Sequence, residues 1–274
     1  DQKPGSLCNH CGSKGNPEHD HQDPHHQIKH AYRTHGFIYF FHIHSCLSPC
    51  GDDESTPDSI AGMGELNGLD IMALTDHNTT KNCPAFFAAA KRHGIIPVAG
   101  MELTTAEEIH IVCLFKTLES ALLFGDAVET RRIKIKNRTD IFGNQFIMNE
   151  NDEKIGEDDF LLSNATTISL EEVPDFVKQF GGICYPAHVD REANGIIAVL
   201  GLFPKTPYFP TIEVHDSEKR EQYATLCKKD ISRVVTSSDA HYLWDISEKK
   251  EYFDLDCERE NAVEVLFDRL GGGA

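Results

Sequence analysis

Short runs of β-branched and aromatic residues alternate with helix-like segments from Gly36 onward, and this alternation restricts the fold more than any other feature of the chain. Strands separated by helical segments are typical of parallel β/α units. The candidate strands read "GFIYFFHIH", "LDIMALTDH", "IIPVAGMEL", "EIHIVCLF", "GICYPAH", "TIEVH" and "RVVTSSDAH". Seven such strands predict an α/β protein built on a barrel-like sheet.

Helix signals lie between several of these strands. Thr56 and Pro57 open "TPDSIAGMGELNG" with an N-cap residue and a proline at the first helical position, and "CPAFFAAAKRHG" ends on a glycine. The third and fourth strands are too close together for a crossover helix between them. The alternation is therefore not strict at that point.

A long connection separates the fourth strand from the fifth. Residues 116–181 exceed what one crossover needs, and apolar residues persist through them. We therefore predict an inserted subdomain that forms a lid over the active-site face. The barrel is predicted to comprise residues 36–115 and 182–260, followed by a C-terminal helix and glycine tail over residues 261–274.

Residues 1–35 differ in composition from the rest of the chain. They hold seven of the fifteen histidines and almost no large apolar residue, so they cannot bury a core. A flexible tail is the favoured interpretation. The alternative is a zinc knuckle in which Cys8 and Cys11 of "CNHC" join His19 and His21, although the histidine spacing fits such a site poorly.

Charge and cysteine content limit the classes of function. The net charge of −18 argues against a protein that wraps long nucleic acid, so a small anionic substrate would need a local positive centre. Nine cysteines, mostly in apolar runs, predict reduced thiols and a cytoplasmic location. The sequence shows neither a membrane-spanning run nor a secretory leader, so we expect no membrane partner.

Histidine and carboxylate residues occupy the ends of the candidate strands. In a β/α barrel such residues share one mouth, where catalytic groups gather. His42 and His44 are spaced i, i+2, so both rings leave the same face of a strand, and Asp239 and His241 repeat that spacing. The strand-end residues are His42, His44, Asp76, His77, Glu102, His110, His188, His215, Asp239 and His241. One such histidine alone is usually structural, but this clustering predicts a metal site.

The motifs "HIHS…TDHN…GMEL…EIHIV…PAHVDR…SSDAH" resemble those of the polymerase and histidinol phosphatase (PHP) family of metal-dependent phosphoesterases, over residues 36 to 245. The resemblance implies a distorted seven-stranded (β/α)7 barrel that holds three divalent metal ions, of manganese, iron or zinc, through nine ligands. It assigns those ligands to His42, His44, Asp52, His77, Glu102, His110, His188, Asp239 and His241.

The ninth ligand is where the sequence departs from the family pattern. By counting from the histidines, Pro49 stands where the family has an aspartate. Counting back from Thr56 and Pro57 instead selects Asp52, with Asp53 as the substitute. A second departure is Phe40, where the family often has an aspartate.

The resemblance implies metal-assisted hydrolysis of a phosphate ester, in which a hydroxide bridging the metals attacks phosphorus. His241, or a water on a metal, would protonate the leaving group. Arg191 in "HVDR" matches a family arginine that contacts the phosphate, and its alternative role is an ordinary salt bridge. Three ligand carboxylates leave the metal cluster cationic, which lets an acidic protein bind a phosphate.

Three further features carry weaker predictions. Asp76 either orients a ligand or caps the next turn. His215 either lines the substrate pocket or has a structural role. The basic run "RRIKIKNR", residues 131–138, either meets a second phosphate or forms a solvated face, and the solvated face is favoured.

The resemblance is closer to short stand-alone PHP proteins that act on nucleoside 3′,5′-bisphosphates or on the 5′ ends of short RNA. A histidinol-phosphate-type phosphatase is the alternative within the family. Outside it stand a non-catalytic, metal-stabilised interaction module and hydrolysis of a non-phosphate bond. The sequence leaves the oligomeric state and the metal identity open.

Overall fold

A computed structural model describes residues 36–246, 252–253, 255 and 257–272 of the chain. Contacts along the chain separate residues 1–34 from residues 35–274, and the fold described here belongs to the second unit. The predicted tail and its alternative zinc knuckle lie outside the described residues.

The fold is a mixed α/β structure, as predicted. Its strands are β1 (Phe37–Phe40), β2 (Ile71–Leu74), β3 (Ile96–Thr104), β4 (His110–Phe115), β5 (Phe146–Met148), β6 (Lys154–Glu157), β7 (Gly182–Pro186), β8 (Ile212–Val214), β9 (Val234–Thr236) and β10 (Tyr252–Phe253). Within the described residues its α-helices are α1 (Pro57–Leu66), α2 (Cys83–Arg92), α3 (Leu118–Glu129), α4 (Thr139–Phe142), α5 (Val173–Gln179), α6 (Ile196–Leu200), α7 (Arg220–Cys227) and α8 (Ala262–Gly271).

Six strands form the main sheet, in the order β10-β1-β2-β3-β4-β7. The pairs β1–β2 and β2–β3 are parallel, whereas β4 runs antiparallel to both β3 and β7. The turn between Thr104 and His110 is too short for a crossover, which is why β3 and β4 form a hairpin. The strand β10, which the sequence analysis did not find, pairs antiparallel with β1 at the edge.

The prediction of a seven-stranded barrel is not confirmed, although all seven candidate strands are present. β8 and β9 form a separate parallel pair outside the main sheet. A single parallel bridge between Ile43 and Ala240 links the chain after β1 to the chain after β9. The curled sheet therefore approaches closure only at the end where the polar strand-end residues lie.

Apolar residues cover both faces of the sheet and position these ends. Thr56 caps α1 by accepting a hydrogen bond from the Ser59 N–H, with Pro57 in the first turn, as the sequence indicates. α1 and α2 cover one face of β2 and β3, and Phe40, Ile60 and Phe86 are fully buried there. On the other face, Leu266 and Phe267 of α8 join Tyr39 and Tyr185 in a second core.

Residues 116–181 contain α3, α4, the β5–β6 hairpin and α5. This segment attaches to the barrel residues through specific contacts: the Asn82 side chain accepts a hydrogen bond from Met148 N–H, and Asn78 Nδ2 donates to the carbonyls of Leu162 and Asn164. The basic run lies here, and Arg132 is buried in an ion pair with Asp158. A separate lid subdomain remains a prediction.

Two further sequence expectations concern cysteines and membranes. Each of the seven cysteines within the described residues is a free thiol. None of the helices in the described part of the chain is long and apolar enough to span a bilayer.

Candidate metal centre

Glu102, near the end of β3, lies at the centre of the polar cluster. It is buried, and its carboxylate oxygens lie 2.8 Å from His110 Nδ1, 3.0 Å from His77 Nδ1, 3.1 Å from His42 Nε2, 3.2 Å from His188 Nε2 and 3.3 Å from His44 Nε2. Five imidazoles thus contact one carboxylate. His110 lies in β4, and the other four follow β1, β2 or β7 along the chain.

His110 reaches the cluster by a route that the sequence analysis did not foresee. It is the first residue of β4 and not the last. Because β4 is antiparallel to β3, its first residue pairs with Thr104 at the end of β3. The start of β4 therefore lies at the edge where β1, β2 and β3 end.

Asp239 supplies the second carboxylate, from the chain after β9. Its Oδ1 lies 3.1 Å from His44 Nε2 and 3.3 Å from His42 Nε2, while Oδ2 accepts a hydrogen bond from Arg191. His241 stacks on His44 with ring centroids 4.4 Å apart. All eight ligands that were matched residue by residue to the family motifs are therefore brought into one cluster.

The donor atoms fall into three overlapping groups, each compact enough to hold one metal ion. The groups are His42, His44, Glu102 and Asp239, then His77, Glu102 and His110, and finally His44, His77 and His241. Four buried polar atoms of the cluster make no hydrogen bond of suitable geometry among the described residues, although three of them lie at ion-pair distances: His42 Nε2, His77 Nδ1, Glu102 Oε2 and His188 Nδ1. Buried polar groups are otherwise paired, so unpaired imidazole and carboxylate atoms that converge on one point fit divalent metal ions.

Two hydrogen bonds fix the orientation of the β1 histidines. His42 Nδ1 lies 2.8 Å from Glu213 Oε1, and His44 Nδ1 lies 2.9 Å from Ser48 Oγ. Each acceptor favours the tautomer with the proton on Nδ1, which leaves Nε2 free to bind a metal. Ser48 in turn donates to Asp76.

Asp76 therefore acts through other residues. Its carboxylate accepts hydrogen bonds from Ser45 N–H, Ser45 Oγ and Ser48 Oγ at 2.7, 2.7 and 2.8 Å. Burial raises the pKa of Asp76, although these hydrogen bonds and the charge of His44 oppose the shift. Through Ser48, Asp76 is linked to His44, and its orienting role stays a prediction.

The electrostatics of the cluster are those of paired acids and bases. Burial opposes ionisation of Glu102, but the charges of His110, His42 and His77 lower its pKa well below the usual value. Burial and the His77 charge oppose protonation of His44, yet hydrogen bonds with Asp239 and Glu102 raise its pKa to about 9. A cation that enters must displace protons from such imidazoles.

The remaining predicted residues lie at the edge of the cluster or outside it. Arg191 contacts both Asp239 and the His215 ring, and burial, together with the Arg191 charge, lowers the pKa of His215. Asp52 uses Oδ1 to accept from Glu54 N–H, and Asp53 uses Oδ2 to accept from Asn144. Neither carboxylate belongs to a ligand group of the described residues.

Sequence reasoning missed Glu213. This glutamate is fully buried on β8 and accepts hydrogen bonds from His42 Nδ1 and, at 3.2 Å, from His188 N–H. The available signal was its place in "TIEVH", where a glutamate interrupts an apolar strand.

We expect Glu213→Gln to weaken metal binding by about 10- to 100-fold while the protein stays folded, because the amide removes the charge that holds the His42 Nδ1 proton. Isothermal titration calorimetry with the metal ion would measure the change in affinity. The matched control is Glu218→Gln, an exposed glutamate in the turn after β8. An unchanged affinity in Glu213→Gln would contradict this role.

A curled α/β sheet with histidines and two carboxylates at one edge has the arrangement of a metal-dependent hydrolase. Residues 41–177, half of the chain, match the family model for the PHP domain. The chain belongs to the PHP domain family, so the family predicted from the motifs is confirmed.

The chain is similar to proteins much longer than itself and to proteins of about its own length. It is 25% identical over 227 residues to the PolC-type DNA polymerase III of Bacillus subtilis, covering 69% of this chain but only 15% of that polymerase. Its fold resembles a lesion-specific endonuclease from Pyrococcus furiosus, with TM-score 0.58, 15% identity and coverage of 87% of this chain and 56% of the other.

A third relative matches in size. A candidate metal-dependent phosphoesterase from Bifidobacterium adolescentis has TM-score 0.54 and 17% identity, and the match covers 85% of this chain and 96% of that chain. At these identities the structural likeness concerns the fold.

Proposed function

We propose that the chain hydrolyses the phosphate monoester of a small nucleotide, such as a nucleoside 3′,5′-bisphosphate or the 5′ end of a short RNA. The observation that carries the proposal is the convergence of six histidines, Glu102 and Asp239 beside Arg191. The PHP family supports hydrolysis of a phosphate ester as the reaction. The side chains around the cluster, Arg191, Tyr242 and Trp244, support a nucleotide as the substrate.

The three overlapping donor groups support three divalent ions. His42, His44, Glu102 and Asp239 would hold one, and His188 lies beside Glu102 as a further donor. Bound ions supply a cationic surface for the phosphate and lower the pKa of a water that attacks phosphorus. The chain contributes the geometry, because Glu102, His44 and His77 each belong to two of the three donor groups.

Arg191 is placed to contact the phosphate. One arm of its guanidinium pairs with Asp239, yet the side chain is 38% exposed. The planar fork therefore retains donors for a phosphate oxygen at the rim of the cluster. His215 packs against the same guanidinium and limits where it can point.

His241 is proposed as a ligand and as the proton donor to the leaving group. Its Nδ1 lies 2.8 Å from the Asp239 carbonyl oxygen, so Nδ1–H donates there. Nε2 is then the atom left to bind a metal ion or to give a proton. A neutral His241 binds metal through Nε2. Only the imidazolium form can give a proton from that atom, so the two roles exclude each other at any one moment.

Two exposed aromatic rings support a nucleotide substrate. Tyr242 follows His241 directly, and its ring stacks on that of Trp244 with centroids 4.6 Å apart and planes at 10°. Trp244 is 71% exposed. The Asp245 carboxylate accepts a hydrogen bond from the Tyr242 N–H and fixes the turn. A flat aromatic surface next to a phosphate site suits a nucleobase, since bases stack on aromatic side chains.

A second candidate is a phosphodiesterase that acts on DNA. It is favoured by the names of two relatives, a DNA polymerase and a lesion-specific endonuclease. The net charge of −18 argues against it, because long nucleic acid requires many cationic contacts.

The test is product formation by the manganese-loaded full chain from adenosine 3′,5′-bisphosphate, histidinol phosphate, a short 5′-phosphorylated oligoribonucleotide and a single-stranded DNA. The control is His42→Ala, which removes a ligand common to the cluster. Phosphate release from the bisphosphate or the short RNA that the control lacks supports the proposal. Internal cleavage of DNA instead supports the second candidate, and inactivity on every substrate rejects both.

We expect Trp244→Ala to raise KM for the nucleotide about 5- to 100-fold, because base stacking contributes about 1–3 kcal/mol. The turnover number, kcat, should change little, since the ring does not touch the reacting atoms. The matched control is Tyr208→Ala, which removes an exposed ring beside Lys229. Equal effects on KM for adenosine bisphosphate and for a phosphate ester without a base would contradict the stacking role.

A further inference from the structure

A cavity of about 610 Å³ lies at the opposite end of the strands from the metal centre. Gly182 and Ile183 at the start of β7 line it, together with Pro210 shortly before β8 and Arg233 directly before β9. The strand β7 spans about 13 Å, and His188 of the metal centre follows its far end. The cavity is therefore distinct from the metal centre, and the proposed function makes no use of it.

Positive charge dominates the wall of this cavity. Its basic and acidic lining residues are Lys178, Lys228, Lys229, Arg233 and Asp230. The carboxylate of Asp230 is engaged in the turn before β9, where Oδ1 accepts a hydrogen bond from the Ser232 N–H at 2.8 Å. Hydrogen bonds from Ser232, and to a smaller extent the Arg233 charge, lower the pKa of Asp230. One carboxylate thus faces four cations, which makes a local positive centre in a chain of net charge −18.

The four basic side chains form no ion pair with a carboxylate of the described residues. Most other cations in that part of the chain are paired, as Lys81 and Arg132 are with Asp158. An acidic chain offers many carboxylates, so four cations without one around a single cavity are an exception. An anionic ligand would supply the missing charge.

Two of the cationic groups are held at the cavity wall by neutral acceptors. Lys229 Nζ donates to the Phe209 carbonyl, and the Arg233 guanidinium donates to the Arg269 carbonyl. A carbonyl fixes the position of a cation but does not cancel its charge. Accordingly, burial and the Arg233 charge lower the pKa of Lys229. Cations that are already positioned lose little freedom when an anion binds.

Helix ends explain only part of this arrangement. Lys178 lies in the last turn of α5, and Lys228 directly follows α7, so each also stabilises the C-terminus of a helix. That role requires neither Lys229 nor Arg233. It also does not require the four side chains to line one cavity.

We infer that this cavity is a second binding site, for a small anion that carries two or more phosphate groups. Its volume falls within the range of about 300–1,000 Å³ in which small molecules bind, so the occupant is a small molecule and not a long polymer. Four positive charges against one negative charge favour a ligand with several phosphates over a single phosphate. Inorganic pyrophosphate and a nucleoside diphosphate share this chemistry. The inference does not depend on the proposed function, because no residue of the metal centre takes part.

The test is lysine acetylation of the full chain, read residue by residue by mass spectrometry, in the presence of pyrophosphate, adenosine 5′-diphosphate or inorganic phosphate. We expect the first or the second probe to slow acetylation of Lys178 and Lys228 by at least about fivefold at saturation, since bound probe masks both amines. Stronger protection by pyrophosphate identifies an inorganic ligand, and stronger protection by the diphosphate identifies a nucleotide. Lys91 is the matched control, because it is an exposed lysine in the last turn of α2. Its acetylation rate should not change.

Three variants locate the site. His42→Ala, which lacks a candidate ligand of the metal centre, should keep the protection, so that a probe bound at the metal centre cannot account for it. Arg233→Met should weaken probe binding by about tenfold or more, the usual loss for a hydrogen bond to a charged group. Lys178→Gln alters an exposed side chain and should also weaken protection of Lys228, which keeps the test decisive if Arg233→Met does not fold.

Unchanged acetylation with every probe would overturn the inference, as would equal slowing at Lys91. Full protection of Lys228 in Lys178→Gln, or equal protection by inorganic phosphate, would also contradict it. None of these results depends on phosphate release at the metal centre, so the proposed function is judged separately.

Discussion

Glu102→Gln is expected to lower metal content from several ions per chain to one or none and to reduce phosphatase activity by more than 100-fold. Glu102 is the shared carboxylate of two donor groups, and five imidazoles surround it within about 3.3 Å. The amide keeps the shape of the side chain but provides no negative charge to offset the cations. Elemental analysis and steady-state kinetics on the same preparation would measure both effects.

The matched control is Glu108→Gln, because Glu108 is exposed in the turn that joins the same two strands, β3 and β4. It should retain the metal and the activity of the parent. Circular dichroism of both variants separates loss of the centre from loss of the fold. Full metal content in Glu102→Gln would show that the histidines alone hold the ions, which contradicts the role given to this carboxylate.

The clustering of the strand-end residues could be predicted to a large extent because two simple rules place them. Polar residues at strand ends meet at one edge of a sheet, and the i, i+2 spacing of His42 and His44 turns both rings to one face. His110 was expected at the cluster, but the rule of strand ends does not explain its position. It begins β4 and reaches the edge only through the β3–β4 hairpin.

Other features depend on tertiary contacts that the local sequence does not encode. Glu213 looks like a polar interruption of a short strand until the fold places it 2.8 Å from His42. Asp52 N–H donates to the His241 carbonyl, a contact between distant parts of the chain that counting residues along the loop cannot give, and the role of Asp52 as a ligand stays a prediction. Likewise, β10 has only two residues and is defined by its pairing with β1.

Under the proposed function, these contacts would allow a chain of net charge −18 to attract a phosphate. In the described residues, two carboxylates, Glu102 and Asp239, face the donor groups directly, while Glu213 and Asp76 stand behind the histidines and fix their tautomers. The negative charge around the centre thus orients neutral ligands and does not cancel the metal ions one for one. The cationic surface that results is local, with Arg191 at its rim.

Arg191→Met is expected to lower kcat/KM for phosphate monoesters by about 100- to 1,000-fold, the usual effect of removing a donor that stabilises developing charge. Methionine keeps much of the aliphatic stem but loses the fork beside Asp239. Metal content should stay near that of the parent, which separates phosphate binding from ligand positioning. Arg191→Lys should recover only part of the activity, because a lysine cannot form the bidentate contact.

Arg92→Met is the matched control, since Arg92 is also half-exposed and paired with an aspartate, Asp58, but lies at the end of α2. Hydrolysis of a carboxylic ester by the same centre, if present, should survive in Arg191→Met, because that substrate carries no phosphate for the guanidinium to hold. A parallel loss of metal and activity would instead mean that Arg191 acts through Asp239. An unchanged kcat/KM would remove Arg191 from the reaction, and His215, which packs against it, would then have no substrate-facing neighbour to position.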